Sequence, residues 1–305
     1  MKRFVKRVIP PRILRWLKMT REFWAERNRY ARFSGPDDGE RFGAMKPIHR
    51  EMQITKDYHR LEKALTLPEP RAPYGADARS RIDALLPQAA AEAADAPFLG
   101  YARSAVAAQD LWNQRHELDD EIAQPRVSSD RGIRDPRAFF ESRRSVRNFS
   151  DRPVDRALAF EAIELAINTP SVCNRQAWRV RLFDDPTHVA AALKHQNGNR
   201  GFASTVPLLA LITVDIGLFA GPSERNQVYI DGGLFSMSLG WAFHAVGLDS
   251  CMLNMSQSNS RLNAARRALG IPGNEAIIMF MAIGYPREGH RVARSPRRAL
   301  SEVIR

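Results

Sequence analysis

Leu208-Leu209-Ala210-Leu211-Ile212-Thr213-Val214-Asp215 is the stretch that decides the fold. It is a short apolar run without polar alternation, closed by an acid, and reads as a strand buried on both faces. Downstream, Gln227 to Val246 reads as a long helix stopped by Gly247, and Ser250 to Asn254 as a short strand. Ser258 to Leu269 reads as a helix closed by Gly270, with Pro272 beyond it. Ala276 to Ile283 is a second buried strand, stopped by Gly284. Upstream, Trp178 to Phe183 alternates as a strand does. Before it, Pro153 and Asp155 announce a helix over Ala157 to Ile167, which Thr169-Pro170 ends. Strands and helices alternate, which predicts a sheet covered by helices rather than an all-β or all-α fold.

The texture before residue 136 is different. Pro10 and Pro11 delay any helix to Arg12 and beyond, after which Ile13, Trp16, Leu17, Thr20 and Trp24 fall near one helical face. Residues 35–47 read as a linker, and Tyr58-His59-Arg60-Leu61-Glu62-Lys63-Ala64-Leu65 as a short helix before a proline-rich stretch. Helical patterns follow at 76–95 and near 98–122, and residues 124–136 read as a boundary. The expected division is a basic amphipathic arm (1–34), a mostly helical extension (35–134) and a sheet-bearing domain (135–305).

Charge separates the same regions. The chain has 305 residues and a formal net charge of +12. Residues 1–34 hold eleven Lys or Arg against Glu22 and Glu26, and residues 287–305 hold six Arg against two Glu. The rest is close to neutral, which argues against a nucleic-acid footprint on the folded body. A basic amphipathic arm suits either packing on its own body or peripheral contact with an anionic membrane. Two cysteines exclude a disulfide framework and any multi-cysteine metal site. No run of 18 apolar residues predicts a membrane-spanning helix, and the basic N-terminus lacks the apolar core of a secretory signal.

Two stretches carry chemistry. Arg143-Arg144-Ser145-Val146-Arg147 offers three arginines within five residues, suited to a phosphate, with a hydroxyl suited to a sugar-like chain. Pro170-Ser171-Val172-Cys173-Asn174-Arg175-Gln176-Ala177-Trp178 is a polar loop between a helix and a strand. Its amides and hydroxyl offer the mixed donors and acceptors that a heteroaromatic edge needs. Cys173 and Cys251 read as small apolar fillers, and His195, His244 and His290 show no metal spacing, with His244 expected in the core. No Walker loop, Gly-x-Gly-x-x-Gly or Gly-x-Ser-x-Gly is present.

Arg-Arg-Ser-Val-Arg followed about 25 residues later by Pro-Ser-x-x-Asn-x-Gln-x-Trp resembles the FMN-dependent nitroreductase family. Asp231-Gly232-Gly233 on the long helix, Gly247-Leu248, Leu269-Gly270-Ile271-Pro272, Gly284-Tyr285-Pro286 and the late Arg294 and Arg297 agree in order. The resemblance covers roughly residues 135–305. It implies an α+β fold with a mixed sheet covered by helices, in an intertwined homodimer with FMN at the subunit interface. It assigns Arg143, Arg144, Ser145 and Arg147 to the phosphate and ribityl chain. It assigns Pro170, Ser171, Asn174 and Gln176 to the flavin ring from the other subunit. Asn199 and Arg200 go to the ring edge, Leu253 and Asn254 to the segment passing the N5 face, and Arg294 and Arg297 to the phosphate. It further implies a cytoplasmic oxidoreductase using NAD(P)H by ping-pong hydride transfer to a small-molecule acceptor such as a nitro compound or quinone.

Two features depart from the family pattern. Only Phe219 to Arg225 separates a strand from the long helix, where relatives often carry a helical excursion, and the extension is expected either to supply the missing lid or to enlarge the dimer interface. The Tyr-His-Arg-Leu-Glu-Lys segment resembles an extended subgroup associated with bacterial polysaccharide clusters, with His59 the extension's candidate for substrate contact. The alternative reading is a flavin-binding partner without turnover, anchored to a membrane-associated assembly.

Overall fold

The computed structural model describes residues 10–37, 45–124 and 132–305. The helices are α1 (Pro11–Phe33), α2 (Pro47–Leu65), α3 (Ala76–Glu92), α4 (Pro97–Arg115), α5 (Pro136–Ser142), α6 (Arg156–Ile167), α7 (Pro186–Leu193), α8 (Gln227–Ala245), α9 (Asn259–Leu269) and α10 (Leu300–Val303). The strands are β1 (Trp178–Phe183), β2 (Leu208–Asp215), β3 (Asp249–Asn254) and β4 (Glu275–Gly284). No helix of the described residues is long and apolar enough to cross a membrane.

The sheet order is β1-β2-β4-β3, and each neighbouring pair is antiparallel. The parallel contact on its far side is a single bridge from Ser145 to Ser250. β2 sits inside, paired from Trp178↔Val214 on one edge and Leu208↔Ile283 on the other. Its side chains alternate between two cores. Leu208, Ala210, Ile212 and Val214 join Ala162 of α6 and Phe235 and Leu239 of α8. Leu209 and Leu211 join Leu193 of α7, Ala265 of α9 and Phe280. Two covered faces explain the unbroken apolar run.

Local signals set the helix ends. Asp155 Oδ1 accepts from Ala157 N at 2.9 Å, Asp185 from His188 N at 3.0 Å and Asp135 from Ala138 N at 2.9 Å. Gly270 closes α9 in the left-handed region, at φ 63°. Gly232 lets α8 lie close on the sheet, since a Cβ there would stand 2.6 Å from Ile278 Cγ1.

The extension departs from its sequence reading. The short helix expected at 58–65 is the end of a 19-residue helix that starts at Pro47. Its first half buries His49, Arg50, Gln53, Lys56 and Asp57 along with Met52 and Ile54, so no apolar period marks it. Those polar groups are paired. Arg81 grips Asp57 at 2.7 and 2.8 Å, Gln53 donates to Asp57 at 2.7 Å, and Arg50 Nε meets Glu92 at 3.0 Å. α2 packs against α3 and α4 around Ile54, Leu61, Ile82, Leu99 and Ala105.

The expected linker is not wholly loose. Gly35 pairs in parallel with Ala220, Gly35 N donates to Phe219 O at 2.7 Å, and Gly221 N donates to Gly35 O at 3.1 Å. Tyr30 Oη adds a bond to Gly221 O at 2.8 Å. The short Phe219–Arg225 connection is therefore covered by the extension. Residues 38–44 of that linker and 125–131 of the 124–136 boundary lie outside the described residues.

Candidate functional site

The first half of the site is built where α5 turns into the Arg143–Arg147 segment. Val146 N donates to Ser250 O at 3.2 Å, which anchors the segment along β3 and fixes Ser145 and Arg147 on either side of a buried Val146. Arg143 lies over the Trp241 ring at 5.6 Å, a face that α8 supplies near its C-terminus. Burial depresses its guanidinium, and the neighbouring Arg297 and Arg144 depress it further, while Asp249 opposes the shift. Arg144 and Arg297 thus lie close enough to Arg143 to repel its charge, with half-buried Asp249 the acid that opposes them. Such an excess of forked donors suits a dianionic phosphate.

A cavity of about 390 Å³ adjoins this cluster, lined by Arg144, His244, Asp249 and His290 among others. His244 is not the core residue expected from the sequence. It is half-buried at the end of α8, with Ser142 Oγ 2.9 Å from its Nε2. The helix end leaves that ring at the surface. Burial raises Asp249, with His244, His290 and Arg143 working against it. Cys251 is buried core, as expected, and its thiol is raised by burial while nearby Arg147 lowers it. Arg147 is otherwise exposed. Arg294 is exposed, and Arg297 Nη1 donates to Ser295 O at 2.6 Å on the extended tail.

The second half is the loop before β1. Cys173, Asn174 and Gln176 stand at φ 48°, 53° and 47°, three non-glycine residues in the left-handed region within four positions. Each costs roughly 1–2 kcal/mol, so the surroundings must hold them. Ser171 Oγ accepts from Gln176 N at 3.0 Å, and Gln176 Nε2 donates to Asn174 Oδ1 at 3.2 Å. Asn174 Nδ2 and Gln176 Oε1 stand outside these bonds. Pro170 is exposed at the loop's start.

Two residues that the sequence reading left unassigned hold this loop. Asp231, with no exposed surface, accepts from Val172 N at 3.2 Å and from Gln227 Nε2 at 2.8 Å, and burial raises its carboxyl. Arg175, with a fully buried side chain, donates to Glu224 at 2.8 Å and to Val172 O at 3.2 Å. Glu224 also accepts from Ala220 N at 2.6 Å. The loop is therefore tied through Phe219–Glu224 to Gly35 of the extension, and α2 packs directly on the Val172–Asn174 turn. The sequence signal for Arg175 is weak, because one arginine inside a polar loop announces no buried partner.

The remaining candidates divide. Asn199 Nδ2 donates to Leu193 O at 2.8 Å and Gln196 O at 3.0 Å, so its amide N–H holds a turn rather than standing free. Arg200 is exposed. Leu253 is buried core, and the exposed Asn254 gives its carbonyl to Gln196 Nε2 at 3.0 Å. His59 pairs with Glu62 on its own helix at 3.3 Å.

Within one chain the two halves do not meet. The loop binds α8 at Asp231, whereas Arg143 meets it at Trp241 and the preceding Ser142 at His244. The anchor points stand ten and thirteen positions apart on the helix, about 15–20 Å along the axis.

Residues 140–199, which contain both the arginine segment and the strained loop, match the model of the nitroreductase family. This stretch is therefore similar to the nitroreductase family. Among relatives, an NADH dehydrogenase of Thermus thermophilus is 25% identical over 178 residues, covering 48% of this chain and 84% of its own. Iodotyrosine deiodinase 1 of Sus scrofa is 22% identical over 228 residues, covering 64% of this chain and 78% of its own. A solved FMN-dependent nitroreductase of Clostridium difficile R20291 is 22% identical, covers 52% of this chain and 91% of that one, and superposes with a TM-score of 0.44. The family match begins at residue 140, so α1 to α4 lie wholly outside it.

Proposed function

We propose that this chain is an FMN-dependent NAD(P)H oxidoreductase of the nitroreductase family acting as an intertwined homodimer. The observation that carries the reading is the closeness of Arg144 and Arg297 to Arg143, a cationic site with too little acid to neutralise it. Those residues, with Ser145 and Arg294, would hold the phosphate and ribityl chain. Arg147, exposed beside Cys251, and Arg200 would offset negative charge at the ring's N1 and C2 carbonyl edge. Bound FMN would supply two-electron chemistry, taking hydride from NAD(P)H and returning it to an oxidised acceptor in ping-pong order.

The separation of the two halves along α8 supports the dimer, since the partner's Pro170–Gln176 loop can then serve the arginines of the first chain. An apolar face on α6 and α8 (Phe160, Leu165, Ile167, Ile230, Leu234) and the apolar tail residues Leu300, Val303 and Ile304 are exposed and available to a second copy. In this division residues 135–305 form the flavin domain. Residues 35–134 brace its loop, taking the place of the family lid.

The test is a reductive titration. The purified protein should show an FMN spectrum, bleach with NADH or NADPH, and recover on adding a nitroaromatic or quinone. FMN that neither nicotinamide reduces would favour the partner protein without turnover. Protein that binds no FMN would overturn both readings.

A further inference from the structure

Helix α1 is docked the wrong way round for a helix that packs on its own body. It buries no residue. Its contacts with the body run down its polar edge. Glu22 accepts from Asn259 N at 2.8 Å and Asn259 Nδ2 at 2.9 Å, and Glu26 accepts from Tyr229 Oη. Phe33 closes the row near Gly273. On the other side, Trp16, Phe23 and Trp24 are 63%, 62% and 55% exposed, with Ile13 and Leu17 at 47% and 46%. At about 100° per residue these five fall within an arc of about 120°, centred about 140° away from Glu22, Glu26 and Phe33.

The basic side chains flank the stripe and continue around the end of the helix that precedes Glu22. Glu22 and Glu26 are the only acids in residues 1–34, and both are turned onto the body. The exposed surface of the helix carries aromatics with Arg12, Arg15, Lys18, Arg21 and Arg27, and its two half-exposed carboxylates are engaged, Glu22 by Asn259 and Arg21 and Glu26 by Tyr229. The nine residues before it add four more basic side chains and no acid.

We propose that this outward face of α1 is a docking surface for an anionic lipid bilayer, with the helix lying in the interfacial plane. The stripe supplies Trp, Phe and Leu for the headgroup boundary, and the surrounding Lys and Arg meet acidic headgroups while their stems cover apolar surface. Docking by the acids holds the helix on the body with its apolar side outward, so the face is presented before lipid arrives. A groove of about 1010 Å³ between α1 and residues 221–229 is lined by Phe23, Trp24 and Arg27 together with Glu26 and Tyr30, so Phe23 and Trp24 border both the groove and the outward face. The inference does not depend on flavin chemistry.

The experiment is flotation of the full chain with phosphatidylcholine vesicles, with and without phosphatidylglycerol. Two variants are compared, Trp16→Ser/Phe23→Ser/Trp24→Ser and Arg12→Glu/Arg15→Glu/Lys18→Glu. The wild-type chain should float with the anionic vesicles, release in high salt, and show a blue-shifted tryptophan emission when bound. The aromatic variant should lose at least ten-fold in affinity. The charge variant should lose about a hundred-fold, taking about five-fold for each basic side chain near an acidic surface. Because none of these positions is buried, both variants should keep the wild-type thermal transition. Wild-type protein that ignores anionic vesicles, or an aromatic variant that binds them equally well, would overturn the proposal. So would an aromatic variant that turns a wild-type oligomer into a smaller species, because a second copy would then be the cover.

Discussion

Replacing Asp231 with alanine removes the buried acceptor that anchors the strained loop to α8. The carboxylate serves Val172 N and Gln227 Nε2, at 3.2 and 2.8 Å. Leaving either donor unpaired in the interior costs about 1–3 kcal/mol, and relief of a buried charge returns part of that. A net loss of about 2 kcal/mol in stability follows. The larger effect falls on the loop. Cys173, Asn174 and Gln176 together store about 3 kcal/mol of left-handed strain, which the freed loop can release by relaxing. Restoring the bound shape would then consume about 1.4–2.8 kcal/mol of binding energy, raising the Kd for FMN ten- to a hundred-fold. Asp231→Asn keeps a neutral acceptor for Val172 N. It loses about 1 kcal/mol, the difference between a bond to a charged group and one to a neutral group, and should raise the Kd less than ten-fold. The assay is quenching of FMN fluorescence on titrating apoprotein of each form, with thermal melts alongside. If the alanine variant melts lower yet binds FMN within two-fold of wild type, Asp231 supports only the fold and the positioning argument is refuted.

Two further outcomes follow from the packing. Gly232→Ala should destabilise by about 1–2 kcal/mol, since overpacking against Ile278 and Val214 outweighs the helix-propensity gain of about 1 kcal/mol, and denaturant midpoints equal to or above wild type would contradict this. The Glu22 carboxyl is held down to about 2 by the Asn259 backbone N–H, aided by Arg21. Its contribution to docking α1 is present above its ordinary value near 4.5 and is lost as pH falls from there toward 2. Discounted for its solvent exposure, that contribution is about 1 kcal/mol. Protection of the Asn259 amide, taken relative to its intrinsic exchange rate at each pH, should fall over that range in the wild type and be already low and flat in Glu22→Gln, and superimposable protection profiles would exclude the effect.

How much was legible depended on how far apart the partners lie. Continuous apolar runs over 208–214 and 276–283 declare strands covered on both faces, and Asp155 and Gly270 mark helix ends through bonds that close within a few residues. The arginine segment and the Ser–Asn–Gln loop stand out in the sequence as candidates because residue type alone suggests their chemistry. The start of α2 was not readable. Its polar residues are buried against Glu92 and Arg81, and a period of apolar residues cannot announce partners 24 and 42 positions away. Asp231, Arg175 and Glu224 escaped assignment for the same reason, since each acts through a bond across 49 or 59 positions. Asn199 shows the converse, a residue of the right type whose amide a local turn consumes.

By itself, the sequence determined the sheet, most of its helices and the neutral body with basic ends, and it offered two polar segments as candidates for a site, all of them set by local pattern or composition. Only the tertiary structure decided that the loop is strained and roped to the extension, that the two polar segments stand apart along α8, and that α1 turns its acids inward and its aromatics out. Periodicity shows that a helix has two faces. Which of them meets the body is set by bonds such as Glu22 to Asn259, which exist only once the chain has folded.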